Sequence, residues 1–126
     1  MVEVRIAGDG WGPSSFVAGG HAGWDEPGHD VLCAAISALL QAAWLGLAEV
    51  AVVAVEGERR PGHLSLRWPP GALADPAAAA IVATVARSLE RLAEQYPAQL
   101  RIVRERASGP RPDGYEETPR AKEERP

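Results

Sequence analysis

The chain opens with alternating hydrophobic and polar positions. Val2, Val4 and Ile6 alternate with charged residues, which is the two-residue period of a half-buried strand. The turn-forming sequence GDGWGPSS follows, after which Ser15–Ala18 can return as the second strand of a hairpin. The pattern therefore predicts a β-hairpin at the start of the chain.

A helical period takes over from about Val31 to Leu47. Asp30 stands before it as a predicted N-cap, whose carboxylate would accept a hydrogen bond from the N–H of Leu32 or Cys33. The apolar residues at helical spacing are Leu32, Ile36, Leu39, Leu40, Ala43 and Leu47. Such a stripe predicts a helix with one face on the core.

The middle of the chain predicts two more strands. Glu49–Glu56 is a nearly continuous run of Val and Ala, typical of a central strand covered on both faces. After the turn ERRPG, the apolar residues Leu64, Leu66 and Trp68 alternate with polar ones, which predicts the partner strand.

The last two predicted elements are a helix and a strand. Asp75 and Pro76 form an N-cap followed by proline at the first helical position. The helix runs to about Tyr96, with Ile81, Val85, Leu89 and Leu92 expected to face inward. Leu100–Arg106 is predicted as the final strand.

The predicted order is β-β-α-β-β-α-β, an α+β fold in which two helices pack on a mostly antiparallel five-stranded sheet. Two helices would leave one face of the sheet bare, and a bare apolar face on so small a domain indicates a homodimer. Residues 1–106 are predicted to fold as one domain. Residues 107–126 are rich in proline and charge, which predicts a disordered tail.

Composition excludes several classes of function. The 126 residues carry a net charge of −4, so no basic field is expected to hold nucleic acid. A single cysteine excludes an internal disulfide framework and a CxxC redox pair. The longest apolar stretches, Val31–Leu40 and Val50–Val55, are shorter than the roughly 20 residues of a membrane span, and MVEVRIAG lacks the features of a secretory signal. A cytoplasmic location without membrane contact is therefore predicted.

Cys33, the only thiol, has two open interpretations. A lone cysteine on an apolar helix is usually a small buried hydrophobe. However, Cys33 falls at about the third residue of the predicted helix, where unpaired N–H groups and the helix dipole favour a thiolate. His21 and His29 precede it in the chain. A catalytic Cys/His pair is therefore the competing hypothesis.

The residues themselves do not decide which histidine would act as the base. His29 lies outside the predicted helix, His21 ends the second strand, and His63 is expected to face solvent. Ser37 lies one turn beyond Cys33, where it either bonds back to a helix carbonyl or borders a cleft. A mobile loop over the site is predicted from its glycine content, and its substrate-contacting residues are Gly20, Ala22, Gly23, Trp24 and Gly28.

A metal site is the weaker interpretation of the same segment. The residues of this segment that offer ligands are His21, Asp25, Glu26, His29, Asp30 and Cys33. Their spacing fits no structural zinc pattern, and only one thiolate is available. No metal and no cofactor are predicted.

The stretch GGHAGWDEPGHDVLCAAISALL resembles the signature of the ribosomal-processing cysteine protease family, Prp. The matching residues are Gly20, His21 and Ala22 for a Gly-His-Ala motif, and Asp30, Cys33, Ala34 and Ser37 for an Asp-x-x-Cys-Ala-x-x-Ser motif. The resemblance extends over about residues 1–104.

The resemblance implies a cysteine endopeptidase with Cys33 as nucleophile, His21 as general base and Asp30 in support. It implies a bacterial cytoplasmic homodimer that removes the N-terminal extension of large-subunit ribosomal protein twenty-seven, after a pair of aromatic residues. The acidic chain would favour such a basic substrate segment. The alternative from another class is a non-catalytic, ribosome-associated dimeric binding protein with Cys33 buried.

Overall fold

The structure, a computed structural model, describes residues 1–9, 12–20 and 29–106. The strands are β1 (Val2–Asp9), β2 (Gly12–Gly20), β3 (Glu56–Arg60), β4 (His63–Arg67) and β5 (Leu100–Arg106), and the helices are α1 (His29–Leu45) and α2 (Pro76–Gln95). A π-helical turn, Gly46–Val50, extends α1, and a 3-10 turn, Ala72–Ala74, precedes α2. The predicted order β-β-α-β-β-α-β is confirmed.

The strands form one five-stranded sheet in the order β3-β4-β2-β1-β5. The β1–β2, β2–β4 and β3–β4 pairs are antiparallel, while β5 lies parallel to β1, with Val4 opposite Ile102. A parallel neighbour requires a crossover connection, and α2 lies in that connection. The predicted α+β class with a mostly antiparallel sheet is therefore confirmed.

One face of the sheet carries the core. The strand alternation buries Val4, Phe16 and Leu66 on the face that meets α1 and α2. Leu40 from α1 and Leu89 from α2 are fully buried in the same cluster. The hydrophobic core is thus a single layer between the sheet and two helices.

The opposite face of the sheet is polar, so the predicted bare apolar face is wrong. Arg5 lies 3.2 Å from Glu105, and Arg101 lies 2.8 Å from Glu3, across neighbouring strands. These are exposed pairs, whose individual contribution to stability is small. The same alternation that buries Val2, Val4 and Ile6 turns charged side chains outward. This face therefore gives no hydrophobic argument for a dimer.

The predicted central strand over Glu49–Glu56 is also wrong. The helical path of α1 continues through Val50, and the following residues 51–55 belong to neither a helix nor a strand. The strand that pairs with β4 is instead the exposed segment Glu56–Arg60. Its position at the sheet edge explains why its sequence, EGERR, is polar rather than apolar.

Helix α1 begins two residues before Val31, the predicted first helical residue. The helix begins at His29, so Asp30 is a helical residue and not the N-cap. Cys33 accordingly is the fifth residue of the helix rather than about the third. The helix dipole acts mainly within the first turn, so its effect at Cys33 is weaker than predicted.

The segment Val31–Val50 has 20 residues and a mean hydropathy of 2.0, which by length and composition would suffice to cross a membrane. The sequence-based count missed it because Gln41 ends the apolar stretch that begins at Val31. In the structure, this segment is the helix whose Ile36, Leu40 and Leu47 are buried in the core. A core helix passes the same test of length and composition.

The second helix matches its prediction closely. The Asp75 carboxylate accepts a hydrogen bond from the Ala78 N–H at 3.2 Å, and Pro76 is the first helical residue. Val85 and Leu89 are buried as predicted, whereas Ile81 and Leu92 are only partly buried. The side chains that complete the buried face are Ala78, Val82 and Ala86.

The edge strand depends on a glycine. A Cβ added at Gly57 would overlap the ring of Trp44 on α1. We predict that Gly57→Ala lowers the free energy of unfolding by about 1–3 kcal/mol, the usual cost of overpacking, as measured by urea denaturation. In a Trp44→Leu background the same change should cost much less. An equal cost in both backgrounds would contradict this packing explanation.

Candidate active site

A cavity of about 200 Å³ lies at one end of the sheet. Its apolar lining comes from Val2, Ala18, Ile36 and Leu64. β1 and β4 begin at this end, β2 and β3 end there, and α1 crosses above it. The cavity therefore lies where four strand ends and the first turns of α1 meet.

Cys33 lines this cavity and is partly exposed. Successive helical residues are rotated by about 100°, which places Cys33 at the border of the stripe formed by buried Leu32 and Ile36. The thiol is therefore neither sealed in the core nor turned away from it. This position does not fit the alternative in which Cys33 is a buried structural residue.

Ser37, one turn beyond Cys33, borders the cleft as one of its two predicted interpretations requires. Its hydroxyl accepts a hydrogen bond of 2.7 Å from Nε2 of Gln41. The other end of that amide, Oε1, accepts a hydrogen bond of 3.3 Å from Nη1 of Arg59. A short polar chain thus connects α1 to β3 along the side of the cavity.

The β3–β4 hairpin supplies basic residues that sequence reasoning did not assign to the site. Arg59, Arg60 and His63 all line the cavity. His63 was expected to face solvent, but it is partly buried there, with Nε2 3.8 Å from a carboxylate oxygen of Glu58. The same glutamate lies 2.7 Å from Arg60. The sequence feature that could have indicated these basic residues was the run ERR before the hairpin turn.

The two arginines change the electrostatic interpretation of the cleft. The chain as a whole is acidic, which suggested a preference for basic peptides. The described part of the cavity wall instead includes two arginines, Arg59 and Arg60. Since a field in a cleft is set mainly by nearby charges, the net charge does not describe this site.

Most of the predicted loop lies outside the described residues. This holds for His21, Ala22, Gly23, Trp24 and Gly28, and for the side chains of His29 and Asp30. Gly20, assigned to the loop, is instead the buried last residue of β2, and its N–H donates to the Gly62 carbonyl at 3.4 Å. Of the predicted Cys/His pair, the structure therefore positions Cys33.

The described residues contain no cluster of three or more metal-ligating side chains. The candidate ligands His21, Asp25 and Glu26 lie outside them, so the prediction of no metal stays a prediction.

Comparisons with known proteins define the class. The family model for the cysteine protease Prp matches residues 1–101. Together with this match, an α+β domain that carries its only thiol at the wall of a cleft defines a cysteine-type endopeptidase. The chain belongs to the cysteine protease Prp family.

Solved structures agree with this family. The essential ribosomal processing protease Prp from S. aureus, in complex with a substrate peptide, is 25% identical, with a TM-score of 0.69 over 82% of this chain and 99% of that one. The same enzyme with a covalently linked product peptide is 27% identical, with a TM-score of 0.66 and the same coverage, 82% and 99%. SMU.848 from Streptococcus mutans shares the fold, with 20% identity, a TM-score of 0.71 and coverage of 85% and 96%. No curated protein matches the sequence.

Because Cys33 lines an open cavity, we predict that iodoacetamide labels it completely in the folded protein, as measured by intact-protein mass spectrometry. The control is the same reaction in urea, where the unfolded thiol is fully accessible. Labelling that requires urea would place the thiol in the core and contradict the cavity assignment.

Proposed function

We propose that this protein removes the N-terminal extension of large-subunit ribosomal protein twenty-seven, with Cys33 as nucleophile and His21 as general base. The observation that carries the proposal is the position of Cys33. A cysteine endopeptidase needs a reactive thiol, the chain has one cysteine, and that cysteine lines a cleft of about 200 Å³. Similarity to the S. aureus ribosomal processing protease supports a ribosomal substrate, and the particular ribosomal protein is the one that the family resemblance implies.

The path of β2 supports His21 as the base. Gly19 lines the same cavity as Cys33, and Gly20 is the last residue of the strand. His21 follows Gly20 directly, and consecutive Cα atoms are only about 3.8 Å apart. The strand therefore ends near the cavity that Cys33 lines, and this supports the next residue, His21, as the base.

The mechanism uses these two groups in sequence. His21 accepts the Cys33 proton, and the thiolate attacks the peptide carbonyl to form a tetrahedral intermediate. The C–N bond then breaks, His21 protonates the leaving amine, and a thioester remains on Cys33. Water attacks this thioester, the C–S bond breaks, and the proton from water returns to the thiolate.

The other family positions have supporting roles in this proposal. Asp30, in the first turn of α1, would orient the imidazole, and Ser37 would border the bound peptide. The loop carrying Ala22, Gly23, Trp24 and Gly28 would close over the substrate. Because the proposed substrate is a ribosomal protein, the proposed location is the cytoplasm. No cofactor is part of this chemistry.

The dyad predicts a specific pattern of inactive variants. With a peptide copied from the N-terminus of the host's ribosomal protein twenty-seven, Cys33→Ala, Cys33→Ser and His21→Ala should each lower cleavage by at least about a thousandfold. His29→Ala should retain most activity. The measurement is peptide cleavage followed by mass spectrometry.

His29 is the matched control because α1 begins there, four residues before Cys33, at a spacing that places two residues on one helical face. An inactive His29→Ala variant with an active His21→Ala variant would overturn the assignment of the base. Urea denaturation of each variant separates loss of chemistry from loss of fold.

We also propose a homodimer, on a surface different from the sheet face first considered. Leu45, Val50 and Val52 are exposed apolar side chains at the end of the first helical segment. Val52 has a φ of 58°, which is costly for a β-branched residue. Exposed apolar groups close together in the chain, one of them on a strained backbone, are typical of an interface.

For this surface we predict that Val50→Asp converts a dimer to a monomer, because an unpaired carboxylate would have to be buried on association. Light scattering coupled to gel filtration measures the mass. Ala48→Asp, at an exposed position in the same turn, is the control for the added charge. A wild-type mass of one chain at high protein concentration would refute the dimer.

A further inference from the structure

Arg59 enters the cleft from the side of the helices. In the sheet register it shares a row with Leu64 and Ala18, whose side chains lie on the covered face. Its guanidinium reaches α1 and donates to Gln41. Gln41 in turn is held by Ser37 through its amide nitrogen. The guanidinium is thus positioned beside the cavity by a polar chain that begins one helical turn from Cys33.

Arg59 differs from the other basic residues of the wall, Arg60 and His63, in its electrostatic partners. Arg60 and His63 both lie near the carboxylate of Glu58. Within the part of the chain that the structure describes, Arg59 forms no ion pair with a carboxylate, and its hydrogen-bond acceptor there is the neutral amide of Gln41. A guanidinium has five N–H donors, so further donors remain for an anion in the cleft.

The endopeptidase reaction produces such an anion. Hydrolysis of the thioester breaks the C–S bond, forms a C–O bond to water and returns one proton to sulfur. The released carboxylic acid ionises near neutral pH, because its ordinary pKa is about 3.5. The new carboxylate therefore forms at the sulfur of the nucleophile. A cavity of about 200 Å³ that is shared by Cys33 and Arg59 keeps the two close together.

We propose that Arg59, positioned by Gln41, binds the C-terminal carboxylate of the N-terminal product fragment. The inference rests on the proposed nucleophile Cys33. The planar fork of the guanidinium matches a carboxylate in geometry and charge. The intact substrate carries a neutral peptide group at the same place, so this contact discriminates product from substrate and retains the product after each turnover.

The test uses two product peptides of identical sequence, one ending in a free carboxylate and one in a carboxamide. Each is added as a competitor during cleavage of the ribosomal peptide. For the wild type, the acid should inhibit about tenfold more strongly than the amide, the usual value of a hydrogen bond to a charged group. Arg59→Met should bring the two inhibition constants within about twofold of each other while KM for the substrate stays nearly constant.

Two further variants sharpen the result. Arg91→Met removes another exposed arginine, on α2 away from the cleft, and should leave the tenfold ratio intact. Gln41→Leu keeps the Arg59 side chain but removes the amide that positions it. The ratio of the two inhibition constants should therefore fall to an intermediate value. A merely structural role for Gln41 would change both inhibition constants equally and would leave their ratio unchanged.

Equal inhibition by acid and amide in the wild type would overturn the assignment of Arg59. A loss of both competitors' binding in Arg59→Met, with a matching rise in KM, would also overturn it, because Arg59 would then contact another part of the peptide. If the ribosomal peptide is not cleaved, the proposed substrate is wrong. The Arg59 test then proceeds with the acid and amide forms of a product obtained from a peptide library.

Discussion

Burial of the apolar stripe of α1 against the sheet sets the position of the thiol. Leu32, Ile36 and Leu40 are buried in the core, and this fixes the rotation of the helix about its axis. Cys33 lies between the first two in sequence and at the border of their stripe, so it meets the cavity rather than the core. A different helical phase would bury the thiol or turn it to the opposite side. Packing energy, not local polarity, therefore determines access to this residue.

The distribution of charge in the sheet depends on the same two-residue period that builds its core. Outward positions of β1 and β5 carry residues such as Arg5 and Glu105, which neutralise each other across the open face. At the other edge, the β3–β4 hairpin places arginines at the cavity wall, where Glu58 neutralises only part of their charge. Within the described residues, the wall of the cleft is thus more basic than the acidic chain as a whole.

Local sequence patterns correctly predicted the elements that are specified by residues close together in the chain. The Asp75-Pro76 start of α2 and the last strand, Leu100–Arg106, agree with the structure because capping chemistry and alternation suffice to specify them. The prediction of a strand over Glu49–Glu56 was wrong because the apolar composition of this segment was taken as evidence for a strand. The helical path of α1 instead continues through Val50. The sequence does not indicate that Gln41 and Arg59 are in contact, because this contact depends on the alignment of α1 with β3.

The central claim is that α1 presents Cys33 to the peptide carbonyl. Acid quenching of the enzyme during turnover, followed by intact-mass and fragment analysis, measures this directly. A thioester on Cys33 would make the protein heavier by the mass of the N-terminal product less one water. The added mass should then lie on the fragment that contains Cys33. Rapid peptide cleavage with no adduct on that fragment, or with the adduct on another residue, would contradict it.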